Sequence, residues 1–162
     1  MIKRSKNHIE KKISYSEYKI NKLIQERDPS ITVPVIELTN TKLVLERYPM
    51  TIYDYLEENG LSEELISKLK SLINRLHEID IFHGDIHEYN IVVNDKGDIR
   101  LIDFGQSIII SKADDFDVNF YCKNWDLDLN STLDDILSHE ENFIPDVLYQ
   151  DYLFDSVNIS KR

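Results

Sequence analysis

The sequence holds only four glycines in 162 residues, and none precedes Gly60. A glycine-rich loop of the kind that cradles phosphates with bare backbone therefore has no place in its first third. Cysteine is nearly absent: Cys122 stands alone, which excludes an internal disulfide and a cysteine-based zinc site and suits a reducing, cytoplasmic setting. Four prolines and no Pro- or Ser-rich run leave no linker, so residues 1–162 are expected to form a single domain. No apolar run approaches the ~20 residues of a membrane span, and no apolar core follows the charged Met1 to Lys6, so neither membrane insertion nor a secretion signal is expected. Basic residues are also scarce. Lys plus Arg number 19 against 30 Asp plus Glu, a net charge of −11, which argues against general nucleic-acid binding.

What is present describes a globular chain. Hydrophobic residues make up 41%, with nine Tyr and six Phe, enough to build a core and to exclude wholesale disorder. Charge is unevenly spread: residues 1–27 carry eight basic and three acidic side chains, residues 114–155 twelve acidic and one basic. The basic end suits an anionic partner or a nucleotide, whereas the acidic end reads as a solvated face.

Periodicity gives the layout. Ser14 and Glu17 have capping-box spacing at the start of a helix over 14–27, with Ile20, Leu23 and Ile24 on one face and Asp28-Pro29 ending it. Strand-like runs follow at Ile31 to Leu38 and Lys42 to Glu46. Thr51 and Asp54 open a short helix that stops at Asn59-Gly60. Ser62 opens a long one, where Leu65, Ile66, Leu69, Leu72, Ile73 and Leu76 recur at helical spacing. Ile91-Val92-Val93 and Ile99 to Ile102 flank the turn residues Asn94 to Asp98, a predicted β-hairpin. A further helix is expected over 126–139, and another after Pro145. The order is a helix and a small sheet, then helices enclosing a hairpin, an α+β layout in two unequal parts.

Two short motifs carry chemistry. His83-Gly84-Asp85-Ile86-His87-Glu88-Tyr89-Asn90 has the form H-x-D-x-x-x-x-N, and Asp103-Phe104-Gly105 follows thirteen residues after its Asn, with the hairpin between them. The pair resembles the catalytic loop and metal-binding loop of the protein-kinase superfamily. Phosphoryl transfer needs an aligned nucleophile and neutralised charge rather than covalent help. The resemblance makes Asp85 the catalytic base, Asn90 and Asp103 the Mg²⁺ ligands against ATP phosphates, and His83 a structural member packing near Phe104. His87 departs from the Lys usual in Ser/Thr kinases; H-G-D-x-H is similar to aminoglycoside phosphotransferases, choline kinases and the ABC1 group.

Lys42 to Tyr48 looks like the last N-lobe strand entering the hinge, with Glu46 and Tyr48 as nucleotide-contacting positions. Val33-Pro34-Val35-Ile36 and Ile102 to Ser107 resemble the RIO group and the KEOPS-complex kinase. Asp128, with Asp126 as runner-up, fits the Asp that steadies the catalytic loop. The implied fold is kinase-like and two-lobed: a reduced N-lobe over about 1–48, lacking the glycine-rich hairpin, and a shortened helical C-lobe over 49–162. The first two strands of a standard N-lobe have no room before the Ser14 helix, so the phosphate-pairing lysine is expected within the first twelve residues; by resemblance to the V-A-I-K strand, Ile2-Lys3 is the best match, with Glu17 as its helix partner. Lys11 and Lys12 are alternatives, and Glu17 also suits a capping box alone.

Three functions follow from the resemblance. The first is a minimal atypical protein kinase using ATP and Mg²⁺ on a Ser/Thr hydroxyl, with a protein substrate. The second is a non-catalytic kinase-like module that docks on a partner kinase. The third is a small-molecule phosphotransferase.

Overall fold

The structure, a computed structural model, describes residues 2–112. The helices expected over 126–139 and after Pro145, together with Asp126 and Asp128, lie outside the described residues. Within them the chain is α+β, with antiparallel strand pairing and three α-helices.

Two strands, β1 (Ile2–Arg4) and β2 (His8–Lys12), precede the first helix, where the sequence left no room for them. They fit because they are short and because their turn needs no glycine. The Ser5 hydroxyl accepts the His8 amide at 3.1 Å and meets His8 Nδ1 at 2.8 Å, closing the connection with side-chain chemistry. Ile2 pairs with Lys11 and Arg4 with Ile9, so these four share one face of the hairpin, while Lys3 and Glu10 share the other.

Helix α1 (Tyr15–Arg27) starts at Ser14, whose hydroxyl accepts the Glu17 amide at 3.1 Å. A 3₁₀ turn, Pro29–Ile31, then replaces the start of the expected strand, and β3 runs only over Val35–Leu38. The prolines explain the delay: Pro29 presets the turn, and Pro34 has no N–H to give a ladder. β4 (Lys42–Glu46) pairs with both β2 and β3, giving a sheet ordered β1-β2-β4-β3.

Below it, β5 (Met50–Thr51) leads into α2 (Ile52–Asn59), which has a complete Thr51–Asp54 capping box. Helix α3 (Glu63–Glu78) buries all six apolar residues that its period placed on one face. Each such burial contributes on the order of 1.5–3 kcal/mol, so the helix is held by packing more than by propensity. β6 (Ile81–Phe82) pairs with β9 (Ile108–Ile109), and β7 (Ile91–Val93) forms the expected hairpin with β8 (Ile99–Leu101).

One large apolar cluster joins α1, α2, α3 and the β7–β8 hairpin; a smaller one, Val33, Leu43, Leu45 and Val92, lies under the four-stranded sheet. Ile102 and Tyr48 pack on the smaller cluster, so the residue before Asp103 and the segment after β4 are anchored beside that sheet. Among the described residues, no helix is long and apolar enough to cross a membrane.

Candidate active site

The lysine of this site is Lys11, not Lys3. Lys11 Nζ lies 2.7 Å from Glu17 Oε1 and 3.1 Å from Asp103 Oδ1. Lys3 is exposed on the opposite face of the β1–β2 hairpin, so it cannot reach Glu17 from its register position. Glu17 sits in the first turn of α1 with its side chain only 6% exposed. A carboxylate this deep needs a paired cation. Lys11 provides it, so the Glu17 side chain turns to the lysine instead of back to the helix N-terminus.

The charges reinforce one another. Burial works to lower the Lys11 pKa, but hydrogen bonds and charge from Glu17 and Asp103 outweigh it and hold the ammonium above its ordinary value. Burial likewise works to raise Asp103, and the Lys11 hydrogen bond and charge outweigh it, holding the carboxyl below the usual carboxylate range. Both groups are thus held ionised. Asp103 also has a left-handed backbone, φ 63°, and its Oδ1 accepts the Gly105 amide at 3.4 Å.

The loop between β6 and β7 is fixed by His83, which is fully buried. Its Nδ1 accepts the Asp85 amide at 3.1 Å, which places the ring proton on Nε2, and Nε2 donates to the Ile102 carbonyl at 2.9 Å. The ring packs against Phe104, 5.0 Å between centroids. His83 therefore ties the loop bearing Asp85 to the segment bearing Asp103. Ser107 adds a second tie, donating to the His83 carbonyl at 2.7 Å. Gly84 makes the approach possible: at φ +85° a Cβ would stand 2.6 Å from the Gln106 carbonyl oxygen. The sequence alone assigns Gly84 and Ser107 no role of their own, because each acts through the close approach of two loops.

Asn90 Nδ2 donates to the Asp85 carbonyl at 2.9 Å and to its Oδ2 at 3.2 Å, so the amide orients the carboxylate. His87 completes the group, with Nδ1 accepting the Tyr89 amide at 3.2 Å and Nε2 3.7 Å from Asp85 Oδ2. The Asp85 side chain stays 45% exposed.

These elements surround a cleft of about 260 Å³. Lys11, Glu17, Asn90 and Asp103 line one part of it, and Leu45, Glu46 and Tyr48 another. Of the residues singled out from sequence, then, Glu17, Glu46, Tyr48, Asn90 and Asp103 share one cleft, Asp85 is hydrogen-bonded to Asn90 at its edge, and Lys3 lies outside. Mg²⁺ fits this donor set: it takes hard oxygen ligands, and Asp103 and Asn90 supply a carboxylate and an amide. Among the described residues no three His, Cys, Asp or Glu gather as a self-sufficient metal cage, so Asn90 and Asp103 would need further oxygens from outside the chain to complete a Mg²⁺ shell.

Comparison with known proteins agrees with this geometry. Residues 15–133 match the model of the ABC1 atypical kinase-like domain, well over half of the chain. The chain is 35% identical over 71 residues to serine/threonine-protein kinase rio2 of Dictyostelium discoideum, covering 44% of this chain and 11% of the relative. It is 30% identical over 125 residues to cyclin-dependent kinase-like 2 of Oryctolagus cuniculus, covering 71% and 22%. It is 24% identical over 109 residues to 3-deoxy-D-manno-octulosonic acid kinase of Vibrio cholerae, covering 62% and 46%. The chain thus spans less than half the length of each of these three relatives. With a matching domain model and kinase relatives, the chain belongs to the ABC1 atypical kinase-like family, within the kinase-like phosphotransferases.

Proposed function

We propose that this chain is a minimal, two-lobed atypical kinase that uses ATP and Mg²⁺ to phosphorylate a Ser/Thr hydroxyl of a protein. The observation that carries this reading is Lys11 bridging Glu17 and Asp103 in the cleft that Asn90 also lines. Such a bridge fixes a cation beside a carboxylate that is held ionised, an arrangement suited to triphosphate and a divalent ion. Asp103 and Asn90 would hold Mg²⁺, which when bound neutralises phosphate charge. Lys11 pairs with phosphate oxygens, Glu17 holds Lys11 in place, and the segment at Glu46 and Tyr48 meets the base. Asp85, oriented by Asn90, accepts the proton of the attacking hydroxyl.

One observation favours a non-catalytic docking module as the second reading: the β1–β2 hairpin contains no glycine whose bare backbone would cover phosphates. Asp85→Asn separates the two, because it keeps the shape and removes the proton acceptor. A general base typically contributes ~10²–10⁴ in rate, so γ-phosphate transfer should fall by about that factor while ATP still binds. Turnover that survives the substitution rejects Asp85 as base. A cellular effect that survives it, with no turnover in the wild type, favours the docking module.

A further inference from the structure

Arg4 has no partner among the described residues. The other four described arginines are all engaged: Arg27 with the Ile79 carbonyl, Arg47 with that of Ser5, Arg75 with Asp28, and Arg100 with that of Ile99. Arg4 instead lines the cleft, on the same hairpin face as Ile2, Ile9 and Lys11.

Its position along the cleft follows from register. Ile2 stands opposite Lys11, so that rung marks the end where Lys11 meets Asp103. Arg4 stands opposite Ile9, and Ile9 pairs with Leu45, the neighbour of Glu46. Two residues of strand separate the rungs, about 6–7 Å. Arg4 therefore belongs to the Glu46 end, away from the ionised cluster.

The cleft as a whole is lined mostly by apolar side chains. Four large hydrophobic side chains are exposed among the described residues, and two of them, Ile2 at 52% and Tyr89 at 54%, line this cleft, with Leu45, Val92 and Ile102 also on its wall. Exposed apolar surface gathered in one concave cleft marks a ligand face. A guanidinium is planar, weakly hydrated and packs well on an aromatic ring.

Resting on the nucleotide reading above, we propose that Arg4 is a base-covering residue: with Ile2 it roofs the cleft, and its guanidinium lies on the face of the purine. A side-chain roof on β1 thus does part of the covering that a glycine-rich loop does with backbone.

The experiment is calorimetric titration of the full chain with ATP and, separately, with adenosine, in Mg²⁺. Wild type is compared with Arg4→Met, which keeps the aliphatic stem, and with Lys3→Met, on the other face of the same strand. Both positions are exposed, so both variants should fold. Arg4→Met should weaken ATP and adenosine alike, by about 2- to 30-fold for a stacked cation, and Lys3→Met should change neither. A loss confined to ATP would put Arg4 on the phosphates and overturn the base-covering role, as would no loss with either ligand. A wild type that binds neither ligand overturns the nucleotide reading itself, and this inference with it.

Discussion

Lys11 and Glu17, six residues apart across the β2–α1 corner, form a 2.7 Å ion pair in which the carboxylate is almost wholly buried. The pair joins the four-stranded sheet to α1, and through its second contact, to Asp103, it reaches 92 residues along the chain. The same ammonium thus serves the fold and the cleft.

That dual service makes Lys11 costly to lose. Lys11→Met leaves the Glu17 carboxylate buried without a cation, and breaking a buried pair from one side costs about 3 kcal/mol or more. Lys3→Met, on the exposed face, should stay within about 0.5 kcal/mol of wild type. Urea denaturation of both variants checks this; equal losses would return the lysine role to an open question. The double variant Lys11→Met, Glu17→Met should recover part of the loss, because two apolar side chains leave no orphan charge.

Gly84 and Gly97 both have positive φ, +85° and +79°, yet they should respond differently to alanine. At Gly97 nothing lies within 4 Å of an added Cβ, so the cost is backbone strain alone, about 1 kcal/mol. At Gly84 the Cβ meets the Gln106 carbonyl oxygen at 2.6 Å, and one of the two loops must move. Gly84→Ala should cost clearly more than Gly97→Ala in thermal unfolding. It should also lower phosphoryl transfer, because the shift separates Asp85 from Asp103.

Acid should weaken the clamp between α1 and α3. Arg75 Nη2 lies 2.7 Å from Asp28 Oδ2 and its Nε donates to the same oxygen at 3.0 Å, while Ser30 also donates to the Asp28 carboxylate. Burial works to raise the Asp28 pKa, but the hydrogen bonds from Ser30 and Arg75 and the arginine's charge outweigh it and lower it. A folded-state pKa below the unfolded one gives stability that is full above the ordinary Asp value, about 3.9. That stability is lost as pH falls through the depressed folded value. Asp28→Asn should therefore cost about 1 kcal/mol at pH 7 and progressively less below pH ~4. A penalty that grows toward acid would contradict the assignment.

Helix α3 was legible because six apolar residues at helical spacing have one way to be buried, and a one-residue slip would expose several of them. The β7–β8 hairpin was legible from its turn residues: Asn94 Oδ1 accepts the Lys96 and Asp98 amides, the local bonding that such residues favour. The juxtaposition of Asn90 with Asp103 followed from motif spacing across that hairpin. Lys11 was legible only as an alternative to Lys3. The three-residue β1 has almost no periodic signal, and which of Lys3 and Lys11 faces the cleft depends on the registers of β1 on β2 and of β2 on β4. The alternation of Ile9, Lys11 and Ile13 was the available clue: Ile9 and Lys11 line the cleft, and Ile13 packs on the smaller core.

In the proposed function, Lys11, Asn90 and Asp103 form a site for the triphosphate of ATP with its Mg²⁺. The decisive experiment is calorimetric titration of ATP into wild type and Asp103→Ala, each with and without Mg²⁺. Mg²⁺ should tighten ATP binding to the wild type, and Asp103→Ala should abolish this dependence while leaving metal-free binding largely intact. Equal ATP binding with and without Mg²⁺ in the wild type would contradict it.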